Sequence, residues 1–240
     1  MTAPLTVEDV AFVKSLVIHE DEHIIALNKP SGLSSQGGRI KAHTLDDLLA
    51  AFARSNGNRP RLVHRLDRDT SGVILTARTK PAAGFLGKAM MGRRFRKTYL
   101  AIVTPGAPEP AGGVIEHALR REEIGRESYM RIATAEEPGA ETALTRYRTL
   151  ARGATAALVE CSPQTGRMHQ IRVHLASLGR PIAGDARYGG ALAVGGVAVP
   201  RLMLHAARLS FPHPAGGTTT IEAPMPADMM ALSASLGLEI

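Results

Sequence analysis

Apolar residues in this chain recur in short runs separated by polar turns, and the period of the runs changes along the sequence. Residues 1 to 15 carry no clear period and read as a loosely tied N-terminal segment. Leu16 to Leu27 reads as a hairpin, two apolar runs around a polar His19 to His23. Asn28-Lys29-Pro30-Ser31-Gly32-Leu33 is a turn built on Pro and Gly, and residues 34–42 are polar and Gly-containing, the pattern of a mobile loop. Thr44 caps a helix reaching Arg54, with Asp46 and Asp47 in its first turn. Val73 to Ala77 is a strand, Pro81 to Met91 a helix, and Thr98 to Val103 a strand. Alternating runs between residues 114 and 160 predict antiparallel strands with one wet face. Arg167 to Leu178 is a helix that Gly179 ends. Ala191 to Val199 is rich in small residues and reads as a surface loop. Late strands follow at Met203 to Ala206, Leu209 to Phe211 and Thr218 to Glu222, and Pro226 to Leu238 closes the chain as a helix. With no repeat and no linker, residues 16–240 are expected to form a single domain.

Charge adds a partner to this picture. Lys and Arg number 29 against 22 Asp and Glu, a formal net charge of +7, which favours a polyanion, nucleic acid first. The basic residues include a run with one aromatic, Arg93-Arg94-Phe95-Arg96-Lys97, suited to a phosphate backbone. Arg120, Arg121, Arg126, Arg131, Arg146 and Arg148 add cations among the middle strands. The single cysteine, Cys161, excludes an intrachain disulfide and a Cys-based zinc site and reads as buried filler. His169 and His174 are five apart, off a common helix face at about 100° per residue, so they make a poor metal pair and read as structural histidines. No leader pattern is present, and no apolar run reaches the ~20 residues that span a bilayer, so the cytoplasm is the expected location.

The candidate chemistry sits in Leu62 to Gly72, Leu-Val-His-Arg-Leu-Asp-Arg-Asp-Thr-Ser-Gly. Apolar Leu62, Val63 and Leu66 precede it and Val73, Ile74 and Leu75 follow, so it reads as strand, turn, strand, with Thr70, Ser71 and Gly72 supplying the turn. Asp67 then stands at the mouth of a buried strand beside Arg65 and Arg68. A carboxylate among guanidinium groups stays ionised at neutral pH, and an ionised, oriented carboxylate can act as a nucleophile. The alternative is that Asp67 and Asp69 only cap a tight turn.

His64-Arg65-Leu66-Asp67-Arg68-Asp69-Thr70-Ser71-Gly72 resembles the signature of the RluA-type RNA pseudouridine synthases, HRLDxxTSG, at every fixed position. Further stretches are similar in the family's order: Asn28 to Gly32, Lys97 to Ala101, Thr165 to His174, Gly184-Asp185 with Tyr188-Gly189, and Leu204-His205-Ala206. The resemblance runs from Leu16 to Pro226. Met168 stands where the family often has Thr. Some two dozen residues precede the first motif, too few for the S4 domain of many relatives, so substrate selection is expected to fall to the catalytic domain.

The resemblance implies an α+β fold, a central, mostly antiparallel mixed sheet with flanking helices and a basic active-site cleft. It implies an isomerase that acts on ribosomal or transfer RNA stem-loops by base flipping and requires no metal or other cofactor; no membrane, no obligate protein partner and a monomer are expected. By motif, Asp67 is the nucleophile or the mediator of sugar proton transfer, through an acylal or a glycal route. Arg167 pairs with Asp67. Tyr99 stacks on the target base and serves as general base. Ile171 lines the pocket, and Arg65 fills the space of the flipped base. Lys29, Arg68, Arg93, Arg94, Arg96, Lys97 and Arg172 are expected to meet RNA. Two rivals are a non-catalytic RNA-binding protein and a sugar hydrolase. An intact set of Asp67, Tyr99 and Arg167 disfavours the first, and the lack of a second carboxylate for an activated water disfavours the second.

Overall fold

A computed structural model describes residues 4–37, 43–55, 57–125 and 127–239. Arg126 and most of the loop expected over 34–42 lie outside the described residues. The chain divides into two compact units, Met1–Arg96 with Ala206–Pro224, and Lys97–His205 with Met225–Ile240.

The first unit begins with a helix, α1 (Val7–Ser15), where the sequence predicts a loose start. A capping box forms it: the Thr6 hydroxyl accepts the Asp9 N–H at 3.1 Å, and the Asp9 carboxylate accepts the Thr6 N–H at 2.9 Å. Only Val13 of this helix is buried, which is why no apolar stripe announces it. The expected hairpin follows as β1 (Val17–Glu20) and β2 (Ile24–Lys29). A one-turn helix α2 (Leu45–Leu48), capped by Thr44, continues into a 3-10 turn over Leu49–Phe52. The two-residue β3 (Arg61–Leu62) and the wholly buried β4 (Ser71–Ala77) come next. Both β2 and β3 pair antiparallel with β4, and Lys29 lies opposite Gly72. Helix α3 (Lys80–Met91) is capped by Thr79 and buries Ala82, Leu86 and Ala89, one face at spacings of three and four. Phe95, the aromatic of the basic run, points into this core and stacks on Phe211 with ring centroids 5.4 Å apart. It is a packing residue rather than a platform for bases, because the apolar ring gains more from burial than from solvent.

The second unit is a meander of antiparallel strands with a helix laid on it. Its strands are β5 (Arg96–Val103), β6 (Gly112–Ile115), β7 (Ala118–Ile124), β8 (Glu127–Ala133), β9 (Ala140–Glu141), β10 (Thr145–Arg152) and β11 (Ala157–Pro163). They order as β5-β11-β10-β6, with β8-β7-β9 as a separate small sheet. Helix α4 (Gln170–Ser177) packs Ile171 and Leu175 into the main core with Ala101, Val159 and Cys161, and Val173 into a second cluster with Leu119 and Met130. Residues 191–199 form no free loop. They make a hairpin, β12 (Ala193–Val194) and β13 (Val197–Ala198), that buries Val194 and Val199. Two valines in a low-complexity run suffice to anchor it.

The two late strands expected around Met203 and Leu209 are one strand, β14 (Leu204–Pro212). Its hairpin partner β15 (Thr218–Glu222) completes the first unit, and helix α5 (Ala227–Ser235) completes the second. The fold is α+β, and every strand register described above is antiparallel.

Candidate active site

The Asp67 loop is an irregular link between β3 and β4, yet its backbone is fixed atom by atom. Four successive carbonyls are bonded. The Ser35 hydroxyl donates to Leu66 O at 2.6 Å, and the Thr70 N–H donates to Asp67 O at 3.2 Å. The Lys29 ammonium and the Gly32 N–H both donate to Arg68 O at 2.9 Å, and the Ser31 hydroxyl donates to Asp69 O at 2.8 Å. Lys29 is fully buried and gives its other two protons to Pro30 O at 2.9 Å and Leu33 O at 2.8 Å. A buried ammonium is tolerated when all its donors are used. Lys29 is therefore no RNA contact: the Asn28-to-Gly32 motif is a bracket that holds the Asp67 loop. The expectation fails because a lysine in a Pro/Gly turn reads as solvent-exposed until its carbonyl partners are known.

Gly72 is not a turn residue either. It is the second residue of β4, with φ +116°, and a Cβ there would stand 2.2 Å from Ala206 O. Only a residue without a side chain lets β14 come this close.

The side chains around Asp67 differ in setting. Asp67 itself is half-buried. Arg68 pairs with its neighbour Asp69 at 2.9 Å on the surface. Arg65 is exposed and, among the described residues, makes no ion pair, which removes the reading of Arg65 as a buried partner that holds the fold. Arg93, Arg94 and Arg96 are also exposed without an ion-pair partner among the described residues, and Arg93 adopts a left-handed φ of 55° after the end of α3.

In the second unit, Tyr99 is half-buried on β5 opposite Cys161. Lys97 lies two residues earlier, on the same face of the strand, with no hydrogen-bond partner among the described residues. Burial pushes its ammonium pKa down. Cys161 is buried, and burial pushes its thiol pKa up.

The Thr165-to-His174 segment is wired through two side chains one turn apart. Gln170 accepts from the Thr165 hydroxyl at 2.7 Å and the Arg167 N–H at 3.0 Å, and donates to Leu144 O at 3.0 Å and the Thr145 hydroxyl at 2.9 Å. His174 meets Thr145 Oγ1 at 2.9 Å through Nδ1 and His117 O at 3.2 Å through Nε2. These contacts assign the Nε2–H tautomer, with the Thr145 hydroxyl donating to Nδ1.

Burial pushes the His174 pKa down to about 4. Unfolded, the imidazole binds its proton near pH 6.5, so between these values the unfolded chain holds a proton that the native chain lacks. The stability this contributes is present above pH 6.5 and is lost as pH falls towards 4, by roughly 3 kcal/mol in total. The expected result is a melting temperature that drops between pH 7 and 4.5. His174→Gln, less stable at pH 7, should show a flatter profile across that window. Parallel profiles for the two proteins would contradict the assignment.

The same segment carries two arginines with opposite settings. Arg167 donates to Glu141 at 2.8 Å and to Thr142 O at 3.2 Å, at a partly exposed edge. Arg172 is buried and bidentate on Asp185, Nε and Nη2 each at 2.8 Å, with its guanidinium carbon 5.0 Å from the centre of the Tyr188 ring. Asp185 is fully buried, and its carboxylate also accepts the N–H groups of Arg187 and Tyr188. The Tyr188 hydroxyl accepts the Met130 N–H at 2.9 Å and meets His169 Nδ1 at 2.7 Å. Asp185 and Tyr188 thus hold Arg172 as Lys29 holds the Asp67 loop. The sequence shows both residues in a recurring motif but gives no sign of what they support. Ile171, expected to line a pocket, is buried in the core.

Comparison with known proteins gives the family. The model of the RNA pseudouridylate synthase family matches residues 23–177. The chain is similar to ribosomal large subunit pseudouridine synthase C of Escherichia coli, 39% identical over 91% of this chain and 69% of that protein. It is similar to ribosomal large subunit pseudouridine synthase D of Nitrosomonas europaea, 37% identical over 90% of this chain and 63% of the relative. Among solved structures it resembles human RNA pseudouridylate synthase domain containing 4, with a TM-score of 0.83, 27% identity, and 98% of this chain and 99% of that chain covered. The chain belongs to the RNA pseudouridylate synthase family and is an RNA-modifying isomerase, a pseudouridine synthase of RluA type.

Proposed function

We propose that this enzyme isomerises uridines of large-subunit ribosomal RNA, with Asp67 as the group that acts on the sugar. The observation that carries the role of Asp67 is its loop, in which the carbonyls of Leu66, Asp67, Arg68 and Asp69 are all bonded. Such a loop holds one carboxylate in one place before substrate arrives, which is what a positioned nucleophile needs. The ribosomal substrate rests on the names of the bacterial relatives.

The reaction breaks the N1–C1′ bond, turns the detached uracil, and joins C5 to C1′. The C5 proton leaves to a base and N1 ends protonated, so nothing is oxidised or reduced. Asp67 opens the sequence at the sugar, by attack at C1′ or by taking the C2′ proton. Tyr99 is the ring that stacks on the base and the hydroxyl that takes the C5 proton. We give the role of the catalytic arginine to Arg172 rather than Arg167. A guanidinium locked by a buried carboxylate is preorganised, whereas one in an exposed pair is free to follow the RNA backbone. Arg68, Arg93, Arg94, Arg96, Lys97 and Arg167 are RNA-facing cations in this reading, and the protein acts as a cytoplasmic monomer. Residues 16–240 work as one catalytic domain, a reading supported by a family match that runs unbroken across the crossing at Arg96 and Lys97.

Arg65 fills the space of the flipped uridine. Arg65→Ala should leave melting nearly unchanged, within about 0.5 kcal/mol, since an exposed side chain without a partner is lost. Turnover should fall, because flipping becomes dearer by about a few kcal/mol, and a target uridine already unpaired should partly restore it. A large melting shift with normal turnover would refute this role.

The substrate assignment is tested with purified enzyme and two unmodified transcripts, one of large-subunit ribosomal RNA and one of a transfer RNA. Pseudouridine should form at discrete positions in the first. Pseudouridine in the transfer RNA alone would overturn the ribosomal reading.

A further inference from the structure

The first unit has a strongly cationic cavity of about 240 Å³ at the far end of β4 from the Asp67 loop. Arg54, Arg59, Arg61, Arg78 and Lys80 line it together with Asn58, and no carboxylate is among its lining residues. Two of the five cations are neutralised from outside, Arg59 by Asp46 and Arg78 by Glu20. Among the described residues, the Arg54 side chain reaches only a carbonyl, Glu22 O, at 3.5 Å. The side chains of Arg61 and Lys80 have no hydrogen-bond or ion-pair partner among the described residues. Three unneutralised cations therefore converge on one concavity, where like charges raise each other's energy and low-dielectric walls focus the field.

The position of the cavity points to its ligand. A second cavity shares Asn58, Arg59 and Arg61 with it and reaches Gln36 and Leu62, and its one carboxylate, Asp46, is the one paired with Arg59. Gln36 follows Ser35, the residue whose hydroxyl is bonded to Leu66 O beside Asp67. The cations thus line one of two cavities with shared walls, and the second reaches Gln36, next in the chain to the residue that braces the Asp67 loop. Strand β4 measures the distance: from Ser71 to Ala77 it spans about 20 Å at roughly 3.3 Å per residue. A small anion bound there would have no bearing on Asp67, whereas an RNA strand leaving the reacting nucleotide extends over such a distance.

We propose that this cavity is a second RNA contact, which takes one backbone phosphate of the substrate about 20 Å from the reacting nucleotide, with Arg61 and Lys80 as its principal cations. It rests on the ribosomal RNA reading above and adds to it a remote contact that sets substrate affinity and not the chemical step.

The test is the double variant Arg61→Gln with Lys80→Gln. Neither residue belongs to the catalytic machinery, and neither has a partner to orphan, so melting should match that of the wild type. Pseudouridine formation is measured on an unmodified large-subunit ribosomal RNA transcript over a range of salt, with direct binding of the same transcript in parallel. The expected result is KM raised about tenfold with kcat unchanged, and a log–log salt dependence of binding flatter by about 0.7, the share of one phosphate. A double variant that binds with unchanged affinity and slope overturns the proposal, whether or not either protein makes pseudouridine. A wild type that binds the transcript but makes no pseudouridine instead refutes the ribosomal substrate. Inorganic phosphate added at constant ionic strength separates the remaining source. If it raises the melting temperature of the wild type alone while the variant binds RNA normally, the cavity is a site for a free anion, and the proposal is overturned.

Discussion

Asp67→Asn should abolish pseudouridine formation and leave the fold and RNA affinity intact. The substitution keeps the volume of the side chain and removes its charge. The hydrogen bonds that Lys29, Ser31 and Ser35 give the loop end on its backbone carbonyls, which the substitution leaves in place. Melting should therefore shift little. The salt slope of binding should also persist, since in the proposed reading it is set by phosphate contacts of cations such as Arg93, Arg94 and Arg96. Turnover should vanish because an amide neither attacks C1′ nor takes a proton from C2′. Substantial turnover by pure variant would show that Asp67 is a turn residue, the alternative the sequence left open.

The second large effect is expected at Lys29. Lys29→Met leaves the carbonyls of Pro30, Leu33 and Arg68 without this donor inside the protein, although Arg68 O keeps the Gly32 N–H. Two acceptors are thus left without a donor, and each costs about 1–3 kcal/mol, so a loss of at least about 2 kcal/mol is expected. Activity should fall with stability, because the loop that loses its bracket is the one that carries Asp67. The salt slope of RNA binding, measured well below the melting transition, should not change. A residue that met RNA would give the opposite pair of results, normal melting and a flatter slope.

Lys29 also shows where reading the sequence stops. Helix α3, the β1–β2 hairpin and the middle strands are legible because each is a local pattern: a cap, a period, a turn. Helix α1 is missed because its capping box is present but its buried face is a single valine. The nine-residue stretch from His64 to Gly72 identifies the chemistry, yet not the machinery that holds it. Lys29 and Asp185 act through partners on other elements, and a charged residue looks the same in sequence whether its partner is water, a carbonyl or a guanidinium. Phe95 is the converse, an aromatic among cations that local context assigns to RNA and the core claims. The division between Arg167 and Arg172 is likewise invisible, because it depends on Glu141 and Asp185, which are distant in the chain.

The most direct test is made in cells. Pseudouridines are mapped at single-nucleotide resolution in RNA from a strain that lacks the gene, and from that strain carrying either the wild-type gene or Asp67→Asn. Discrete sites in large-subunit ribosomal RNA should be missing from the deletion strain, restored by the wild type, and still missing with the variant. Sites that survive the deletion, or that return with Asp67→Asn, would contradict the account.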